Sequence, residues 1–275
     1  MNYRHAFHAG NFADCAKHAL VHAIAGALCR KPTPWRALDA FAGIGIYDLH
    51  GPEASRTGEW RRGIGRLEGV SDGPLAPGLA VVRAGGWPPR YPGTPALLAA
   101  MLRPQDRLAL CELHPEDHGL LRPAFRADPR VAVHRRDAWE AAVALTPFPE
   151  RRGLILLDPP FEAEGEFARL ADTMAAVWRR FRGGVQVAWY PVKHRAPVRA
   201  FRDALAASGI RDVLCCEIHL REPTDPTRLN GCGIAVINPP WGFEEEARAI
   251  LSALLAHLGD NEPGQGTEVS RIADE

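Results

Sequence analysis

The sequence predicts an α/β fold on a mostly parallel sheet covered by helices on both faces. Three observations predict it. From about residue 107 onward, apolar runs of strand length alternate with amphipathic helical stretches. Several of those runs, "LILL" and "GIAVI" among them, are near-continuously apolar, as strands buried on both faces must be. The polar clusters fall just after the runs, where sheets of this kind bind ligands. The 275 residues suit one large domain with an insertion, and 46% hydrophobic with 24% charged residues is ordinary for a folded chain.

The elements follow in order. "NFADCAKHALVHAIAGALCRK" reads as a helix with Asn11 as N-cap. Phe12, Ala16, Leu20, Ala23, Ile24 and Ala27 form one stripe at helical spacing, and Lys17, His18 and Val21 lie on another face. Arg30, Lys31 and Pro32 end it. "WRALDAFAGIGIYDL" is a strand ending near Asp39, then a glycine-bearing turn. Over 47–106 the pattern weakens into short helices separated by Gly and Pro, which predicts a helical insertion. Strand and helix then alternate through "RLALCELHP", "VAVHRRDA", "GLILLDPPF" and "GVQVAWYPV". "RDVLCCEIHL" and "GCGIAVINPP" follow with no crossover helix between them, so an antiparallel excursion is expected at the end of a seven-stranded sheet. "EEEARAILSALLAHL" is the last helix, and 259–275 is expected to be a polar, frayed tail. The whole of 1–275 is one domain on this reading.

Composition removes some function classes. No apolar run approaches the roughly 18 residues of a membrane helix, and "MNYRHAFHAGNF" has no apolar signal core, so a cytoplasmic protein without a membrane partner is expected. Six scattered cysteines without a C-x-x-C pair read as reduced, buried thiols. Net charge is zero, which gives no global pull toward nucleic acid. Arginines nevertheless pair at Arg61-Arg62, Arg135-Arg136, Arg151-Arg152 and Arg179-Arg180, and each pair is as well read as a solvated helix face as a phosphate contact.

The chemistry concentrates in four groups. In "DAFAGIG", Gly43 and Gly45 follow the first strand and let backbone approach a ligand. Asp48 stands where a third glycine of a dinucleotide loop would fall, which disfavours NAD. In "CELHP", Glu112 ends the next strand and can take two ribose hydroxyls; its plainer role is favouring a helix N-terminus. In "HRRDAW", Asp137 can accept from the exocyclic amine of an adenine, or cap the next helix. Together these look like the S-adenosylmethionine site of a Rossmann-like class I methyltransferase.

"LILLDPPF" resembles the [DNS]-P-P-[YFW] motif of amino methyltransferases. Adenine N6 is a poor nucleophile because its lone pair is delocalised into the ring. Asp158 can accept one N6 hydrogen and the Pro159 carbonyl the other, with Pro160 holding the turn rigid and Phe161 stacking on a base turned out of its helix. A second copy, "INPPW", follows the last strand, far from the glycine turn in topological order. Catalysis is therefore assigned to Asp158, and Asn238 to Trp241 are read as a structural turn. His5, His8, Cys15 and His18 fit no familiar zinc spacing, so no metal is expected.

"YRHAFHAGNFADCAKH", "DAFAGIG", "RTGEW", "YPGTPALLA", "ELHP", "RRGLILLDPPF", "WYPV" and "INPPW" together resemble the bacterial 23S rRNA adenine-N6 methyltransferase J family, from the N-terminus to about Trp241. The resemblance implies methylation of N6 of one adenine in domain V of 23S rRNA, on free RNA rather than the assembled ribosome, by a monomer with no obligate protein partner. It implies that residues 1–31 lie over the active site and that the 47–106 insertion helps grip RNA. It places Tyr3, His5 and Lys17 near the target adenine, and His18, Thr94, Glu112, Asp137 and Ala138 at the methyl donor. Asp158 matches the catalytic acid. Phe41 stands where relatives carry a donor-binding histidine, and Phe161 replaces the more usual tyrosine. Two rivals remain: a DNA adenine-N6 methyltransferase, and a non-catalytic nucleic-acid-binding protein tied to use of external DNA.

Overall fold

The computed structural model describes residues 4–274. Helix α1 (Phe12–Cys29) opens the chain, capped by the Asn11 side chain, which accepts from the N–H groups of Ala13 and Asp14. Strand β1 (Arg36–Asp39) follows. Next come β2 (Ile46–Asp48), α2 (Pro52–Thr57), α3 (Ala76–Ala84), β3 (Arg90–Pro92) and α4 (Thr94–Met101). Strand and helix then alternate as expected: β4 (Arg107–Cys111), α5 (Pro115–Phe125), β5 (Val131–His134), α6 (Ala138–Ala144), β6 (Gly153–Leu157), α7 (Glu166–Arg180), β7 (Val185–Val192) and α8 (Arg195–Ala207). The chain ends with β8 (Val213–His219), β9 (Gly231–Ile237), α9 (Phe243–Leu258) and β10 (Gly266–Ala273).

Eight strands form one sheet in the order β10-β8-β9-β7-β6-β1-β4-β5. β5, β4, β1, β6 and β7 pair in parallel. β9 is antiparallel to both β7 and β8, so the expected excursion is present. One face is covered by α1, α4, α5 and α9, with Leu20, Ile24, Leu98 and Leu251 in its core. The other is covered by α6, α7 and α8 around Leu170, Met174 and Phe201.

Two expectations need correcting. The sheet has eight strands rather than seven, because the tail expected to fray supplies β10, antiparallel to β8. Its composition hid it: Val269 is the one buried residue of the strand, and polar side chains face outward on an edge. Arg271 anchors it by ion pairs to Asp212 and Glu244. The insertion is also shorter and less helical than 47–106. A two-stranded antiparallel ribbon, β2 with β3, brackets it. "GEWRRGIGRLEGV" forms only 3-10 turns, and α4 returns to pack on α1, β1 and β4.

Several of the arginines are spent on the amino edge of the sheet. Arg152 donates to the carbonyls of Leu28 and Thr33, Arg180 to that of Thr146, and Arg36 forks onto Glu150. These bonds satisfy helix and loop ends rather than presenting a phosphate-binding face. No helix among the described residues is long and apolar enough to cross a membrane.

Candidate functional site

Register decides where the polar groups meet. Asp39 of β1 lies level with Leu110 of β4 and Leu156 of β6, so the three strands finish together. The segments leaving them line one cavity of about 670 Å³ at the carboxyl edge. It takes in His5, Lys17, His18, Phe41, Gly43, Thr94, Glu112, Asp137, Ala138 and all of Asp158 to Phe161. One described residue singled out from the sequence is not in it. Gly45 has a left-handed backbone, and a Cβ there would lie 2.7 Å from the Phe125 ring, so its role is packing beneath the turn. Tyr3 lies outside the described residues.

The first turn and Glu112 hold each other. The Gly43 N–H donates to Glu112 Oε2 at 2.9 Å, and the His114 N–H donates to Oε1 at 2.7 Å. Burial pushes the Glu112 carboxyl up, and these two N–H groups oppose the rise. Asp137 caps α6 by accepting from the Glu140 N–H at 2.9 Å and also lines the cavity. Phe41 packs edge-on against Trp139 at 5.0 Å. The position expected to hold a histidine is therefore apolar wall.

Behind the wall lies Asp39, fully buried and bonded by the Thr94 hydroxyl. Burial pushes its carboxyl up to about 7, against the bond from Thr94. His18 is buried too, with Nδ1 2.9 Å from the Tyr91 hydroxyl. Burial lowers the imidazole to about 3, so it is neutral, and its Nε2 has no partner among the described residues.

Asp158 follows β6 and meets α1. Lys17 Nζ lies 2.6 Å from Asp158 Oδ2 and 3.0 Å from Asp14 Oδ1. Asp14 also accepts from the Gly10 N–H and lies 2.9 Å from His5 Nε2. Burial alone would raise the Asp14 carboxyl; His5 and the Lys17 ammonium outweigh it and hold the group well below its ordinary value. Burial likewise opposes the Lys17 charge, and the two carboxylates hold that ammonium well above its ordinary value. Lys17 is thus a buried cation shared by two anions.

Phe161 has φ 53°, a region that bulky residues rarely adopt. Its ring is braced by Phe167 at 4.6 Å and Trp189 at 5.9 Å. The N-terminal segment closes the cavity's side, with Arg4 ion-paired to Glu116 and Asp117 at the start of α5. His5 and His8 line the cavity, and His8 lies 2.9 Å from Glu59. The four candidate zinc residues go separate ways: Cys15 donates to the Gly10 carbonyl, and the three histidines face Asp14, Glu59 and Tyr91.

Sequence reasoning missed Asp14, Trp189, Lys193 and Thr227, all of which line the cavity. Asp14 sat in plain sight three residues before Lys17, the spacing that puts two helical side chains together. Trp189 lies on β7, Lys193 just after it and Thr227 in the β8–β9 loop, where no helical or strand spacing ties them to the other site residues.

Comparisons with known proteins give the chain's family and fold. A family model described as Ribosomal RNA large subunit methyltransferase D, RlmJ, matches residues 32–271. The chain is 38% identical over 280 residues to Ribosomal RNA large subunit methyltransferase J of Escherichia coli (strain K12), covering 100% of both chains. It is 36% identical over 273 residues to the protein of the same name from Haemophilus influenzae, covering 97% of each. Among solved structures, protein LPL1258 of Legionella pneumophila superposes with a TM-score of 0.87 at 30% identity, covering 96% of this chain and 98% of that one.

Proposed function

The chain belongs to the ribosomal RNA large subunit methyltransferase J family and is an S-adenosylmethionine-dependent methyltransferase; from that premise we propose that it methylates N6 of one adenine of 23S rRNA, turned out of its helix into the cavity beside Asp158. The cavity's residues fit the donor. Glu112 is held by two backbone N–H groups and retains lone pairs for ribose hydroxyls. Asp137 is placed to accept from the donor's adenine amine. His18, with its orphaned Nε2, would bond the amino-acid end, and Thr94, Phe41, Gly43 and Ala138 shape the wall. When bound, the donor supplies an electrophilic methyl group on a sulfonium.

The chain's own residues prepare N6. Asp158 Oδ2 is engaged by Lys17, so Oδ1 accepts one N6 hydrogen. The Pro159 carbonyl accepts the other. Two fixed acceptors draw the amine out of conjugation and aim its lone pair, with no reorganisation at the moment of reaction. The proton released from N6 passes along Asp158 to water at the cavity mouth. Phe161, locked by Phe167 and Trp189, offers its face to the extruded base. His5 and Lys17 border the same space from the N-terminal side, and Asp14 fixes both. The enzyme acts as a monomer on free RNA.

The observation that carries this reading is the meeting of Asp158-Pro159-Pro160-Phe161 with the Gly43–Glu112 contact in one cavity. Labelled S-adenosylmethionine with protein-free 23S rRNA, assembled large subunits and duplex DNA tests it. Label recovered as N6-methyladenosine from free rRNA is expected. Label in DNA instead would move the substrate to DNA, and no label with donor still bound would leave a non-catalytic binding protein.

A further inference from the structure

The cavity has two walls of different charge. Glu112, Asp117 and Asp137 line the end where the first parallel strands finish. The other wall comes from the end of β7 and the β8–β9 loop, through Trp189, Pro191, Lys193, Thr227 and Leu229. Among the described residues, Lys17 and Lys193 are the permanent side-chain cations lining the cavity. Lys17 is neutralised by Asp14 and Asp158. Lys193 is exposed, and among the described residues no carboxylate comes within ion-pairing distance of it. It lines the cavity together with His8 of the N-terminal segment. Arg195, two residues on from Lys193, and Arg228, between the cavity-lining Thr227 and Leu229, are also exposed and make no ion pair among the described residues, and α8 has no acid in its first turn.

This wall is built rather than loose. Asn230 is fully buried; its N–H donates to the Val192 carbonyl at 3.0 Å, and its amide donates to the carbonyls of Lys193 at 2.9 Å and Asp225 at 2.7 Å. One side chain thus ties the 221–230 loop to the residue bearing the free ammonium. Arg221 braces the loop from behind, forked onto Glu262 and bonded to the Leu229 carbonyl. Asp225 accepts from the N–H and hydroxyl of Thr227, which fixes the loop's turn. An unpaired cation tied to a braced loop, with Trp189 of the Phe161–Trp189 ring pair on the same wall, matches one kind of occupant: a chain of phosphates whose bases enter the cavity.

We propose that Lys193 and the 221–230 loop form a phosphate-binding wall that holds the RNA backbone flanking the extruded adenine. The proposal rests on the RNA reading above. It assigns Lys193 and Arg228 to phosphates and the Thr227 hydroxyl oxygen, whose hydrogen is held by Asp225, to a ribose 2′-hydroxyl that donates to it.

The test is filter binding of protein-free 23S rRNA over a salt series, with the double variant Lys193→Ala/Arg228→Ala. Loss of two phosphate contacts lowers the slope of log affinity against log salt by about 1.4 for single-stranded RNA. The affinity should fall on the order of 10- to 100-fold, and KM for RNA should rise more than kcat falls. Calorimetric affinity for S-adenosylmethionine should be unchanged, and Lys193→Arg should bind like the wild type. Arg179→Ala, at the far end of α7 on the opposite edge, removes charge away from the wall and should change nothing. An unchanged salt slope and KM in the double variant would overturn the proposal, as would an equal loss in Arg179→Ala. If the wild type binds rRNA but transfers no label, methylation fails as a reading while the slopes still decide the wall. If the wild type shows no salt-dependent binding to rRNA, the wall fails with it.

Discussion

The two Pro-Pro segments leave buried strands of similar character, "LILL" before Asp158 and "AVI" before Asn238. β6 runs parallel to β1 and β7, so its end opens on the ligand edge. β9 runs against β7 and β8, so its end opens on the other edge, beside the start of β7. At the first, Asp158 meets Lys17 at 2.6 Å. At the second, the Asn238 amide donates to the carbonyls of Arg182 at 2.6 Å and Gly184 at 2.8 Å. The left-handed residue also differs: Phe161 in one, with φ 53°, and Asn238 in the other, with φ 54°. Asparagine tolerates that region and phenylalanine does not, at a cost of roughly 1–2 kcal/mol. Strain is thus held at the copy that lines the cavity, where neighbouring rings over-determine it, and avoided at the copy on the other edge. The same local pattern serves as site or staple according to strand direction.

The largest separation between the copies should come from their first residues. Asp158→Ala removes an N6 acceptor, and kcat on 23S rRNA should fall by about 10²–10⁴-fold with donor affinity nearly kept. Asn238→Ala should leave kcat and KM unchanged but orphan two carbonyls, lowering stability by about 1–3 kcal/mol in urea unfolding. Retained turnover in Asp158→Ala, or lost turnover in a folded Asn238→Ala, would break the contrast.

Topological order made this contrast legible in the sequence. The glycine turn, Glu112, Asp137 and Asp158 fall at the ends of successive strands, and the structure brings them to one edge because parallel pairing aligns strand ends. Asn11 was legible as a cap because its chemistry is local. Gly45 was misplaced because a glycine turn carries no mark of which glycine faces the ligand and which faces the Phe125 ring. β10 was hidden because an edge strand with one buried residue has hardly any apolar signature. Lys193 and the 221–230 loop were hidden because their approach to the cavity depends on Asn230 bonding a residue 37 positions away. Periodicity reads neighbours along an element, and contacts of that range lie beyond it.

The aromatic residues give the next separation. Phe161 is wedged between two rings, whereas Trp241 is 93% exposed. Stacking on an extruded base is worth about 1–3 kcal/mol, so Phe161→Ala should lower kcat/KM on rRNA by about 5- to 150-fold. Phe161→Tyr keeps the face and should stay near wild type. Trp241→Ala should alter neither activity nor stability by more than about 0.5 kcal/mol, as for an ordinary surface position. A steady-state comparison of the three variants decides it. Equal losses in Phe161→Ala and Trp241→Ala would mean that both edges touch RNA.

The smallest effect tests why one copy begins with aspartate and the other with asparagine. The first accepts from the Lys17 ammonium and, in the proposed reaction, from N6, whereas the second donates to two carbonyls. Asn238→Asp places a carboxylate against those oxygens and should cost on the order of 1–2 kcal/mol at neutral pH. The repulsion favours the protonated carboxyl in the folded state, so its folded pKa is raised above the unfolded value of about 3.9. The folded state then binds more protons between the two values. Stability relative to the wild type should therefore be nearly restored below that unfolded value and lost as pH rises through the folded one. Urea midpoints of both proteins across pH 3.5–8 measure the difference directly. A penalty independent of pH would show that the fold at this edge does not depend on the Asn238 amide as a donor.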